Sequence, residues 1–189
     1  MTVKAASSLP ETMAFRGDAP VVARSRAAEA GGRADAKPLR VAIVHYWLVS
    51  MRGGEKVVEE LCRMFPQADI FTLVYNPERT SDFLNSRNIH TSFLQKIPRS
   101  TRHYTKMLPL MPFALEHFDL QDYDLVISSE SGPAKGIITR ADALHICYCH
   151  SPMRYIWDQF HLYRRGVSWI GKAMMSLTAP VLRAWDVTT

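Results

Sequence analysis

The apolar pattern opens at Leu39 and runs almost unbroken through Val41, Ala42, Ile43, Val44, Tyr46, Trp47 and Leu48. A run with no polar face predicts a strand over residues 40–46, covered on both sides as strands of a parallel sheet are. Val57, Val58, Leu61, Cys62 and Phe65 then recur at helical spacing and Pro66 follows, which predicts a helix over 54–65. Apolar runs at 69–74 and 89–93 predict two more strands, with a short helix or turn at 77–85. Between 99 and 118, Leu108, Met111, Leu115 and Phe118 keep helical spacing, but Pro109 and Pro112 must kink or split the segment. Residues 123–129 and 144–149 predict two further strands, separated by a glycine-flanked turn at 132–136. The tail from 168 to 185 places Ile170, Met174, Leu177, Val181 and Trp185 on one helical face, with Pro180 as a kink. Strands alternating with helices predict an α/β fold: a Rossmann-like, mostly parallel sheet with helices on both faces.

Residues 1–37 mix Ala, Arg, Gly and Pro without apolar periodicity and read as a disordered leader, leaving 38–189 as the folded domain. Glu11, Asp18, Glu29 and Asp35 argue against a transit peptide, and no apolar core of a secretory signal is present. No stretch is apolar for long enough to span a membrane. Three cysteines, Cys62, Cys147 and Cys149, suit a reducing compartment better than a disulfide framework. A net charge of +5 favours anionic partners. Motifs of nucleic-acid readers are missing, so no nucleic acid is expected.

The candidate chemistry lies at strand ends, where open α/β sheets hold their ligands. Gly53 and Gly54 follow the first strand and begin a helix, an arrangement that lets backbone amides and the helix dipole meet a phosphate. A tight turn that binds nothing is the plainer alternative. The next group is Ser128, Ser129, Glu130, Ser131 and Gly132, with Lys135 beyond. The last is His150, Ser151 and Arg154. If the strands lie side by side, these groups converge on one cleft suited to sugar hydroxyls and a diphosphate. His150 is the candidate for contact with a reacting centre.

Other readings are weaker. His145, Cys147, Cys149 and His150 lack zinc-site spacing, and the cysteines are expected to fill core. Ser128 or Ser131 with His150 and Asp158 supply hydrolase residue types without a G-x-S-x-G elbow. No G-x-x-x-x-G-K-[ST] loop is present. Glu55 and Lys56 read as solvated or pairing residues. Two basic stretches, 99–111 and 163–185, are amphipathic. They either pack on the sheet or lie on an anionic membrane.

Taken in order, Val44-His45-Tyr46-Trp47-Leu48, Met51-Arg52-Gly53-Gly54-Glu55-Lys56-Val57, Tyr123-Asp124-Leu125-Val126-Ile127-Ser128-Ser129, Ala134-Lys135-Gly136 and Cys147-Tyr148-Cys149-His150-Ser151-Pro152-Met153-Arg154-Tyr155 resemble the N-terminal half of family 4 glycosyltransferases. The similarity is to the mannosyltransferase-like group that builds bacterial surface polysaccharides. It implies one half of a GT-B fold and sugar transfer from a nucleotide-sugar to a glycan or lipid-linked acceptor, with retention and without a bound metal. It implies that Gly53 and Gly54 approach the donor diphosphate and that His150 contacts the donor sugar. Ser129, Ser131, Lys135 and Arg154 are expected to meet acceptor or sugar. The expected place is the cytoplasm, peripheral on the inner face of the plasma membrane. The family's C-terminal domain, with its Arg/Lys pair and E-x₇-E segment, has no counterpart before Thr189, so the chain is expected to be an N-terminal part that is inactive alone.

Overall fold

The computed structural model describes residues 37–130 and 132–189. The leader expected at 1–37 lies outside these residues except for Lys37, and so does Ser131. The elements in chain order are β1 (Val41–His45), α1 (Gly53–Met64), β2 (Asp69–Thr72), α2 (Asp82–Asn85), β3 (Ile89–Thr91), α3 (Ser100–His103), α4 (Met111–Glu116), β4 (Leu125–Glu130), β5 (Leu144–Cys149), α5 (Phe160–Arg165) and α6 (Trp169–Thr188).

Five strands form one sheet in the order β3-β2-β1-β4-β5, with every pairing parallel. The expected Rossmann-like α/β fold is therefore present. β1 is central and every residue in it is buried. Val41 and Ile43 pack with Val58 and Cys62 of α1 on one face. Ala42 and Val44 pack with Met111, Ala114 and Leu115 of α4 on the other. Coverage from both sides is why β1 reads as a continuous apolar run.

Pro109 and Pro112 act where the sequence expected a break. Residues 99–118 split into α3, a 3₁₀ turn at Tyr104–Leu110 holding Pro109, and α4, whose Pro112 lies in its first turn. Proline is tolerated there because a first-turn amide has no helical acceptor. Pro180 lies inside α6, which runs through it as one element.

The last elements depart from expectation. β5 is an edge strand exposed on both faces, with Leu144 59% and Tyr148 50% accessible. Cys147 and Cys149, expected to fill core, are exposed, because no helix covers β5 as α1 and α4 cover β1. On α6, Ile170, Met174, Leu177 and Val181 are exposed as well. The helix buries Ala179 and Leu182 against Met153 and Ile156. Its C-terminal end is pinned by Trp185, which fills the space a Cβ on Gly136 would need, only 2.0 Å away. Asp186 accepts from Trp157 Nε1 at 2.7 Å and pairs with Lys135 at 3.0 Å. Among the described residues no helix is long and apolar enough to cross a membrane.

Candidate functional site

After β1 the chain proceeds to β2 on one side, while β4 returns to pair on the other. That reversal opens a crevice at the carboxyl ends of β1 and β4, the usual ligand position of such sheets. The residues there are His45 and Ser129, with the start of α1 and His150 beside them.

His45 ends β1 in register with Ser129 and is fully buried. Its Nδ1 lies 2.6 Å from the Ser129 carbonyl oxygen. A carbonyl only accepts, so Nδ1 carries the proton and Nε2 presents a bare lone pair. No protein group meets that lone pair, although Nε2 is buried. Burial pushes the imidazole down to about 4, against the pull of the Ser129 carbonyl, so His45 is neutral at pH 7.

His150 follows β5, and its amide continues the ladder to Glu130 O at 2.7 Å. Its Nε2 lies 3.0 Å from Ser129 Oγ. Ser129 thus links both imidazoles, one through its carbonyl and one through its hydroxyl. Desolvation lowers the His150 pKa and the Glu55 charge opposes that shift. Glu55 is buried and accepts from the Arg52 amide at 3.0 Å, which ties off the start of α1. It is a pairing residue rather than a solvated one, while Lys56 is exposed.

Gly54 explains itself sterically. A Cβ there would stand 3.3 Å from His45 Cε1 and 3.6 Å from His150 Nε2. A Cβ on Gly53 would meet nothing within 4 Å, so its backbone faces open space. The Arg52 amide is taken by Glu55, and no side-chain bond from the N-cap residue itself closes the first turn of α1. The turn therefore offers backbone donors beside two imidazoles, an arrangement able to meet an anion and hydroxyls together.

Three of the residues singled out from sequence, Gly54, Ser129 and His150, are brought into contact, and Gly53 borders them. Lys135 is held instead by Asp186, and Arg154 is exposed and paired with Asp158 at 3.7 Å. Ser131 lies outside the described residues. No known family, curated protein or solved structure matches the chain. The geometry alone therefore speaks for the site.

His45 has no role in the sequence pattern, Glu55 reads there only as a solvated or pairing residue, and Glu130 only as a member of the strand-end group. The signal for the first was visible: it is a titratable residue at the carboxyl end of a buried strand, nine positions before Gly54. Glu130 is buried on the far side of β4 with Oε2 unpartnered, and burial raises its pKa to about 7 against the backbone amides of Lys135 and Ala134. Elsewhere Ser128 Oγ bonds His145 Nε2 at 2.9 Å, which occupies a serine of the hydrolase reading. Among the described residues no cluster of three His, Cys, Asp or Glu could hold a metal.

Proposed function

We propose that this chain is the acceptor-side half of a retaining GT-B glycosyltransferase. It would help move a sugar, mannose in the closest reading of the resemblance, from a nucleotide-sugar to a glycan or lipid-linked acceptor. The observation that carries the proposal is the buried, unpartnered Nε2 of His45 beside the Gly54 backbone and His150. A neutral imidazole lone pair accepts from a hydroxyl and repels a phosphate oxygen. The α1 amides do the opposite. A sugar diphosphate presents both kinds of group in one molecule.

In this reading Gly53 and Gly54 bring the α1 amides to the diphosphate, and the helix dipole stabilises the charge that grows as it leaves. His45 orients a sugar hydroxyl, and His150, set by Ser129 and facing Glu55, contacts the sugar near the reacting carbon. The hydroxyl of Ser129 is fully buried, which favours a positioning role over attack on an ester. Further charge for diphosphate capture would come from the family's second domain. Three cysteines without a disulfide framework fit a cytoplasmic setting.

The test is an amide-resolved NMR titration of the 189-residue chain with nucleotide diphosphates, nucleotide-sugars and phosphate-linked glycans. Shifts at Gly53, Gly54 and His150, weakened by Gly54→Ala, support the reading. If no member of any class moves these signals, the reading fails. The alternative is a non-catalytic acceptor- or partner-binding module, favoured by the exposed β5 and α6. It predicts binding with no turnover even when a donor domain is supplied in trans.

A further inference from the structure

We propose that Cys147 and Cys149 form a two-thiolate site for one soft univalent metal ion, Cu(I), on the face of the sheet opposite Ser129. Side chains alternate along a strand, so residues 145, 147 and 149 of β5 leave one face and Tyr148 leaves the other. Ser129 pairs in register with Tyr148 and shares its face. The site therefore lies behind the crevice and stands apart from its function. Both thiols are free and exposed, because β5 is the edge of the sheet. Desolvation, and next the charge of Cys147, raises the pKa of Cys149, so each sulfur is within the other's electrostatic reach.

Strand geometry decides what the two thiols can do together. Consecutive residues rise about 3.3 Å, which sets the two Cα atoms about 6.6 Å apart. The Cβ atoms keep roughly that spacing because they point the same way. A disulfide needs Cβ atoms about 3.8 Å apart, so the pair cannot close one while β5 stays extended. A metal bridge is wider. Two metal–sulfur bonds of about 2.3 Å let the sulfurs stand up to about 4.6 Å apart, and two side chains leaning together reach that span.

Donor number then selects the ion. Structural zinc takes four ligands, whereas among the described residues no three His, Cys, Asp or Glu groups gather to hold a metal. His145, the preceding residue on this face, is engaged by Ser128 at 2.9 Å. Two thiolates without a third donor suit a soft ion with a filled d shell, and thiolate is a ligand that selects Cu(I). Glu130 stands beside Cys149 in register, and its Oε2 is buried without a partner. A carboxylate there favours a cation on this face. Lys135, the cation that acts on Cys149, is already paired with Asp186 at 3.0 Å. Binding forms two Cu–S bonds, breaks two S–H bonds and releases both protons to solvent, with no electron transferred.

The test is anaerobic titration of the reduced 189-residue chain with Cu(I), read by competition against the chromophoric chelator bicinchoninate. One copper per chain is expected, with a two-sulfur shell in X-ray absorption. Cys147→Ser and Cys149→Ser should each weaken binding at least about 100-fold, because losing a ligand costs no less than losing an outer partner. Both positions are exposed, so neither change should move the melting curve. Cys62→Ala removes the buried thiol and should leave the affinity unchanged. The proposal is overturned by failure to compete with bicinchoninate, by undiminished binding in either serine variant, or by equally tight binding of Zn(II). A shell of three or four ligands, or one copper bridging two chains, also overturns it.

Discussion

The ring of His45 donates to the carbonyl oxygen of Ser129 across 2.6 Å, from the central strand to its neighbour. The bond fixes the tautomer and faces the unpartnered Nε2 toward Gly54. It also makes β1 and β4 register part of the site, because a slip of one residue would turn Ser129 to the other face.

His45 should make stability depend on pH. Its pKa falls from 6.5 to about 4 on folding, so between those values the unfolded chain binds a proton that the folded chain refuses. Stability is unaffected above pH 6.5 and falls as pH drops toward 4, by about 3 kcal/mol in full. His45→Asn keeps a donor two bonds from Cβ and does not titrate. In urea melts the stability of the variant relative to the natural chain should rise as pH falls from 6.5 to 4.5.

Glu130 should act in the opposite sense. Its pKa rises from 4.5 to about 7, so the folded chain holds the extra proton between those values. Stability from this group is gained as pH falls through 7 and lost as it rises, again by about 3 kcal/mol. Glu130→Gln should therefore stabilise the protein most at pH 8 and least at pH 5 in the same melts. In the natural chain the two slopes oppose each other between pH 4.5 and 6.5, and either substitution alone should expose the other.

Gly136→Ala should loosen α6. The added methyl would overlap Trp185, whose indole fills that space. Overpacking of this kind costs about 1–3 kcal/mol. The expected outcome is a lower melting temperature with increased proteolysis near the C-terminal end of α6.

Two of the three thiols should react rapidly with a disulfide reagent in the native state. Cys147 and Cys149 are exposed, whereas Cys62 is buried against the sheet and burial raises its pKa to about 11. A count of two fast thiols per chain is expected, with the third appearing only on unfolding. Three fast thiols would show that α1 does not seal its face of the sheet.

The sheet was readable because burial on both faces writes itself as an apolar run. The pattern placed β1, β4 and β5 within about two residues, and it placed α1 by its spacing and by Pro66. Burial was less readable than element type. β5 has the composition of a covered strand, yet it is an edge, and an edge position is decided by strand order rather than by the strand's own residues. The α6 stripe has the same limit: periodicity finds a face but not what lies opposite it. In the crevice, the glycines and His150 stood out by residue type. The roles of Ser129 and His45 depend on β1 and β4 being neighbours, a long-range pairing that no local pattern records.

That pairing also sets an order of events during synthesis. β1 meets β2 soon after it is made, but Ser129 follows His45 by 84 residues. At ribosomal speeds of 5–20 residues per second, the wait is roughly 4 to 17 s. Until β4 emerges, β1 has one open edge and His45 has no acceptor. The crevice is among the last parts of the sheet to exist, and a nascent chain stalled before β4 would hold a β1–α1–β2 unit with nothing to bind.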